Sequence, residues 1–435
     1  MAPKPKMAIK SFPLTAIPTA QGATPDNCLC AVGCDLALEI GLTPQISLVS
    51  QIGLFHFDGR FERKDTGGLG YHCMIPSVLQ FAGTLVAAMR DQRLRKLMTI
   101  AIIAAILTLG AAIAPMPLQL PAGKGGIGFD DLQFAPSLGK VLVPAGRTGR
   151  VDLVNPKSRR IEEIAGFSSE SGYEGGHGEG ITPADADDGF VFVTDRSAKL
   201  LDVVDLHEKK IVARAALASG PDYVRFVSTT REIWVTEPDS ERIEVFAFHG
   251  EKNPIPSHVG FIAMRGGPES LLIDDQAGRA YTNLWAGATV PIDLKSRKAV
   301  ARWPNGCGGS RGLALDPRLE FVFVGCAEGK LSVLDAKTGK DLGSVSSGSG
   351  VDIIAYSATR RHIYLPGARS ATMAIIGISD AGVPTVLTTV NTAIGAHCVT
   401  ADSLGRAYVC DPNRGRLLIF VDTQSSQQVR PAPAE

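Results

Sequence analysis

A chain of 435 residues has room for one large or two ordinary domains, and at 45% hydrophobic and 20% charged it has a globular composition. Its 47 Gly and 27 Pro call for many tight turns and therefore many short strands. Lys+Arg and Asp+Glu both number 44, and beyond residue 114 the balance is 34 basic to 37 acidic. A slightly acidic body without a Lys/Arg run excludes the electrostatic footprint of a nucleic-acid binder.

Residues 1–88 show no sustained helical or strand period and are expected to be disordered or an over-long gene-model start. Cys28, Cys30, Cys34 and Cys73 lie there with His72, but C-x-C-x3-C is a poor match to structural zinc spacing. From Met89 the pattern changes. Arg90, Arg93, Arg95 and Lys96 stand against one acid, Asp91, and Leu97 to Ala114 carries no charge. A basic flank, an apolar run and small residues at its end predict that 89–114 is a secretory signal or an N-terminal membrane anchor; the alternative is a buried core helix. Pro115 after Ala112-Ile113-Ala114 hinders cleavage there, so cleavage falls elsewhere or the helix remains as an anchor. The positive flank precedes the apolar run, which puts the body outside the cytoplasm, periplasmic or secreted, with 97–114 the only membrane contact. A signal normally begins a chain, so Met89 reads as the true start, with a short cytoplasmic segment as the alternative. Peptides from before Met89 in the natural protein would exclude the over-long start.

Over 115–425 one unit recurs: a Gly-rich lead-in, a short apolar strand, a turn, a second apolar run such as Lys140–Val143, then two further strands. GRVDLVNPKSRRIEEI (149–164), AKLLDVVDLHEKKIVARA (198–215) and GKLSVLDAKTGKDLGSV (329–345) share a V-x-D-x-x-x-x-K/R rhythm, which predicts the turn between the third and fourth strands. Aligned on the end of the second strand, the repeats place Val143, Val193, Val235, Thr282, Val324, Leu365 and Val409 at 41 to 50 residue intervals. A lone four-stranded sheet cannot bury both faces, but seven packed around an axis can. The expected fold is an all-β, seven-bladed β-propeller; an open solenoid is the alternative, usually built from shorter units. The seventh repeat lacks a fourth strand after Arg416–Phe420. The apolar Met116–Leu120 is placed to supply it and lock the ring, with Pro117 tolerated on an outermost edge. Residues 426–435 are Pro-rich and polar, a disordered tail.

The repeats resemble the YVTN-type (YncE-like) β-propeller family. The resemblance rests on Arg406-Ala-Tyr-Val-Cys-Asp-Pro-Asn-Arg-Gly-Arg-Leu-Leu-Ile-Phe420, on Phe321-Val-Phe-Val324 with Leu331-Ser-Val-Leu-Asp335 and Thr338-Gly339, and on Gly220-Pro221-Asp222, within roughly 128–424. It departs at Ala280-Tyr-Thr-Asn283 and His362-Ile-Tyr-Leu-Pro366. The resemblance implies a largely extracytoplasmic, non-catalytic protein. Related propellers include sugar lactonases and quinone- or haem-binding domains, so fold alone does not choose a function.

In a propeller the inner strands begin around the central channel. The alignment puts Asp130, Glu179, Asp222, Glu269, Arg311, Asp352 and His397 at one equivalent position, a rim of five acids, one Arg and one His. Packed like charges need a cation, an Arg or water to compensate them. The rim is therefore a hydrated, self-compensated channel mouth, a divalent-cation or cationic-ligand site, or a catalytic centre. Gly172–Gly180, the most glycine-rich stretch, crosses near it. There His177 and Glu179 suit metal ligation or acid–base work, the alternative being a glycine loop with an exposed His. No Gly-Lys-Ser/Thr or C-x-x-C-H occurs. Trp234, Trp285 and Trp303 lie in or beside strands and are expected in the core.

Cys398 and Cys410 bracket a hairpin centred near Leu404, and Cys307 and Cys326 hold comparable places in the fifth unit. Both pairs are candidate disulfides in an oxidising compartment, with buried free thiols as the alternative. Three functions stay open. The first is a non-catalytic scaffold binding a protein or small molecule at the rim. The second is a metal-dependent lactonase-like hydrolase whose cation is held by some of Glu179, Asp222, Glu269 and Asp352, with His177 or His397 moving protons. The third is a quinone- or haem-associated electron-transfer domain, against which the absent haem motif counts.

Overall fold

The computed structural model describes residues 114–187 and 189–425. The expected signal or anchor at 89–113, the segment 1–88 and the tail 426–435 lie outside the described residues. Among the described residues no helix is long and apolar enough to cross a membrane.

Seven antiparallel sheets follow one another, each a meander from inner to outer strand. Blade 3 is representative: Val224–Val227, Glu232–Glu237, Arg242–Ala247 and Ser257–Ala263 run from the channel outward. Blade 4 differs in having its outer strand in two pieces, Lys298–Ala299 and Trp303–Pro304, both paired with Ala288–Asp293. Second strands are covered on both faces, so every residue of Phe190–Asp195, Glu232–Glu237 and His362–Gly367 is buried. That is why these strands are near-continuous apolar runs instead of alternating ones. The outer strand Ser257–Ala263 is mostly exposed, with Ile262 its one buried residue, because it lies at the rim of the blade and meets water.

The V-x-D rhythm is a side-chain-capped turn. Asp205 Oδ1 accepts from the backbone N–H of His207 and Glu208, and Asp335 Oδ1 from those of Lys337 and Thr338. Four residues after the acid the chain turns left-handed, at Lys209 (φ 54°) and Gly339 (φ 71°), so glycine serves in one repeat and lysine is accommodated in another.

The ring closes as the missing seventh strand requires. Met116–Gln119 pairs antiparallel with Arg416–Ile419 and completes the blade of Val399–Ala401, Arg406–Asp411 and Arg416–Val421. Gln119 Nε2 adds bonds to the carbonyls of Gly415 (3.0 Å) and Arg414 (3.1 Å). Gly123 and Gly415 meet there. A Cβ at 123 would lie 2.1 Å from the Gly415 oxygen, and one at 415 would lie 2.0 Å from the Gly123 oxygen.

Both cysteine pairs are disulfides, Cys307–Cys326 with Cα atoms 5.3 Å apart and Cys398–Cys410 with Cα atoms 5.6 Å apart. The second bridges opposed residues of a hairpin, since Val399 pairs with Val409. Stable disulfides fit a protein that works outside the reducing cytoplasm. Each closes a short loop, 19 and 12 residues, for which chain entropy suggests about 2–4 kcal/mol of stabilisation. Reduction should therefore lower Tm by several degrees per bridge. Alkylation of Cys307, Cys326, Cys398 and Cys410 in the native, unreduced protein would contradict the pairing.

Candidate functional site

The rim is set by where the inner strands begin. In blades 3 to 7 the equivalent positions are Asp222, Glu269, Arg311, Asp352 and His397, and in blade 1 Asp130. Blade 2 corrects the alignment. Ala184 pairs with Val193 as Val224 pairs with Val235, so the residue matching Asp222 is Thr182, which is fully buried. Glu179 stands three residues earlier, exposed on the glycine loop. That long loop shifted the count, because it hid where the strand starts.

The remaining acids are joined by a residue the alignment did not pick out. Arg196 follows the second strand of blade 2, and its backbone N–H is held by the Gly180 carbonyl at 2.8 Å. Its Nη2 donates to Asp130 Oδ2 at 2.7 Å and to Asp222 Oδ1, and its Nη1 to the His177 carbonyl at 3.1 Å. His177 Nδ1 is 3.3 Å from Asp130 Oδ2, and its ring stacks on His397 with centroids 5.4 Å apart. His397 ties blade 7 to blade 1, its ring nitrogens 2.6 Å from the Gly395 oxygen and 2.9 Å from the Phe129 oxygen.

The electrostatics follow from burial and pairing. Burial pushes the Asp130 carboxyl up, but the His177 and Arg196 charges beside it prevail and hold it at about 2. The Asp130 charge in turn raises His177 to about 9 against the effects of burial and of Arg196, whose Nη1 stands 3.0 Å from the His177 Nδ1. Asp222 is pushed up to about 7, mainly by burial. Glu269 is raised to about 9, by burial first and then by the Asp222 charge, although Arg311 Nη1 donates to it at 2.6 Å. The Trp285 indole N–H also donates to Glu269. Trp285 is 42% exposed, unlike Trp234 and Trp303, which are buried as expected. Arg196 and Trp285 share one place in their repeats, three residues after the second-strand anchors Val193 and Thr282. That column was available in the sequence as a second ring above the first.

The four carboxylates considered as metal ligands do not converge. Asp222 is engaged by Arg196, Glu269 by Arg311 and Trp285, and Glu179 lies on the exposed loop. A different set does come together: ligand atoms of His177, Asp352 and His397 lie within 4.8 Å of one another. Its fit to a cation is poor. Both His397 nitrogens face carbonyl oxygens, and the His177 Nδ1 is already engaged by Asp130 and Arg196. Tyr173, His177, Arg311, Asp352, Arg369 and His397 are among the residues around a mouth of about 330 Å³ at this rim. The arrangement can seat a polar ligand with hydrogen bonds of both kinds.

No family model matches the chain, and no curated protein does. Solved structures do. A chain of the mitotic checkpoint complex superposes with a TM-score of 0.59 at 15% identity, over 72% of this chain and 93% of its own. A chain of hydrazine synthase from Kuenenia stuttgartiensis gives 0.57 at 12%, over 70% and 97%. The Cps50 (Swd1) β-propeller domain from Myceliophteria thermophila gives 0.57 at 10%, over 71% and 100%. At these identities the likeness shows the propeller fold and nothing finer.

Proposed function

We propose that this protein is an extracytoplasmic, non-catalytic binding scaffold of YVTN (YncE-like) type, whose partner protein or small molecule seats in the rim mouth. The observation that carries the reading is Arg196: one guanidinium between Asp130 and Asp222 turns a ring of acids into a compensated, rigid lining. Such a lining does not need a divalent cation to hold it together. A propeller neighbour that belongs to the mitotic checkpoint complex is consistent with a protein partner. The disulfides support an oxidising location.

A metal-dependent hydrolase is the second reading, favoured by the approach of His177, Asp352 and His397. The two separate by titrating the protein with Ca²⁺, Mg²⁺ and Zn²⁺ while following Tm and lactone hydrolysis. The scaffold reading expects no shift and no rate above buffer. A stoichiometric metal that raises Tm, and is lost in Asp352→Asn, would replace it with the hydrolase. A photo-crosslinker at the exposed Arg369 or Asn413 should in addition trap a discrete adduct in producing cells, and one at the exposed Leu404 should not.

A further inference from the structure

The same inner strands that begin at the rim go on to enclose a second cavity of about 610 Å³, within the range of small-molecule sites. Along each strand its lining follows the rim residue: Asp131 after Asp130, Tyr223 after Asp222, Ile353 after Asp352. The two sites therefore occupy successive levels of one channel.

Its wall has two characters. Blades 4 to 6 contribute Leu272, Leu313, Leu315 and Tyr356, all only half-buried although they belong to innermost strands. Apolar side chains in that state front open space, where a ligand would gain by covering them. Blades 1 to 3 contribute an ionic wall. Arg225 Nη1 donates to Asp131 Oδ2 at 2.5 Å and to the Val224 carbonyl at 2.7 Å, and its guanidinium lies 5.3 Å from the Tyr223 ring. A second carboxylate, the half-buried Asp185, accepts from the backbone N–H groups of Ala186 (2.9 Å) and Phe226 (2.7 Å). One guanidinium thus bonds Asp131 and acts on Asp185 only through its charge. Among the described residues Asp131 Oδ1 accepts no hydrogen bond and the Tyr223 hydroxyl has no partner, although these side chains are only 2% and 5% exposed and line the cavity. Neither atom is sealed in the core; both residues line the cavity, where a ligand can supply the missing bond. Burial, only partly opposed by Arg225, pushes Asp131 up to about 6, so added positive charge there would be favourable.

We propose that this cavity is a second ligand site, separate from the rim, for a small amphipathic amine: an ammonium bound by Asp131 Oδ1 and the Tyr223 hydroxyl, and an apolar body laid against Leu272, Leu313 and Leu315. Three hydrogens on an ammonium suit two acceptors that lack a donor, and the apolar body gives the affinity that a lone ion pair does not.

The test titrates the full-length protein, by calorimetry, with 2-phenylethylamine and with its neutral isostere 2-phenylethanol. The amine should bind, and the alcohol about tenfold more weakly or less. Asp131→Asn should erase the preference for the amine. Leu315→Arg, which projects a cation into the cavity and leaves the ionic wall intact, should remove binding of both. His177→Ala at the rim should change neither titration, which separates this site from the scaffold reading above. No binding of the amine to the wild type would overturn the proposal, as would binding unaltered in Leu315→Arg or lost in His177→Ala. If Asp131→Asn does not fold, the Leu315→Arg titration alone decides.

Discussion

Replacing Arg196 by Met should destabilise the propeller by about 3–5 kcal/mol, because it leaves buried carboxylates without their cation. Arg196 bonds Asp130 and Asp222 together and steadies the His177 carbonyl, so its loss affects three blades at once. The cost is not the worth of one ion pair. It is the burden of holding a partly buried Asp222 without a cation beside Asp130, 3% exposed and then paired with His177 alone. The double variant Arg196→Met with Asp222→Asn should recover part of the loss, since the second carboxylate is then neutral. Denaturant unfolding of the two variants decides the point, and equal stability of wild type and Arg196→Met would refute the compensated rim.

The same network gives a pH dependence of definite sign. His177 is raised to about 9, so its contribution is fully present below its unfolded value near 6.5 and is lost as pH rises through 9. Asp222 and Glu269, raised to about 7 and about 9, bind protons more tightly folded than unfolded, so they too favour the folded state less as pH rises from about 4 toward those values. Asp130, held at about 2, works the other way and weakens the fold only as pH falls below about 4. Tm should consequently fall between pH 6 and pH 9, and Glu269→Gln should flatten the slope. A Tm constant over that range would remove the assignment.

Gly123→Val should open the ring. Its Cβ would sit 2.1 Å from the Gly415 carbonyl oxygen, a backbone atom that cannot swing aside, in the segment that carries Met116–Gln119 onto the seventh blade. Leu120, 3% exposed, is packed in the core at that point. We expect a loss on the order of 3 kcal/mol or more, from strain together with weakened burial of the closing strand, and rapid proteolysis ahead of Leu120. Gly172→Ala is the control: no atom lies within 4 Å of its added Cβ, so it should change stability by no more than about 0.5 kcal/mol. If the two variants unfold at the same denaturant concentration, the closure is not what holds the seventh blade.

The repeat architecture was legible because it rests on periodic burial. Second strands such as Phe190–Asp195 and Phe321–Cys326 are covered on both faces, so they carry uninterrupted apolar runs at a regular spacing, and a strand missing from one end could be sought at the other. The turn acids Asp205 and Asp335, and the hairpin cysteines Cys398 and Cys410, were equally readable, since each interacts within a few residues of itself along the chain or across one turn.

The site was legible only in part. Glu179 was placed on the rim where Thr182 stands, because a flexible glycine count cannot say where a strand begins; only the pairing of Ala184 with Val193 decides it. Arg196 and Trp285 went unrecognised although they share a column of the repeat, because their meaning depends on partners from other blades: Arg196 reaches back 66 residues to Asp130 and forward 26 to Asp222. By itself, then, the amino-acid order determined the number of blades, the closure by Met116–Gln119 and the disulfide pairs, all set by local periodicity and hairpin geometry. The tertiary structure alone decided which charges cancel and which stay open at the channel, because charge compensation depends on distances between side chains that lie far apart along the chain.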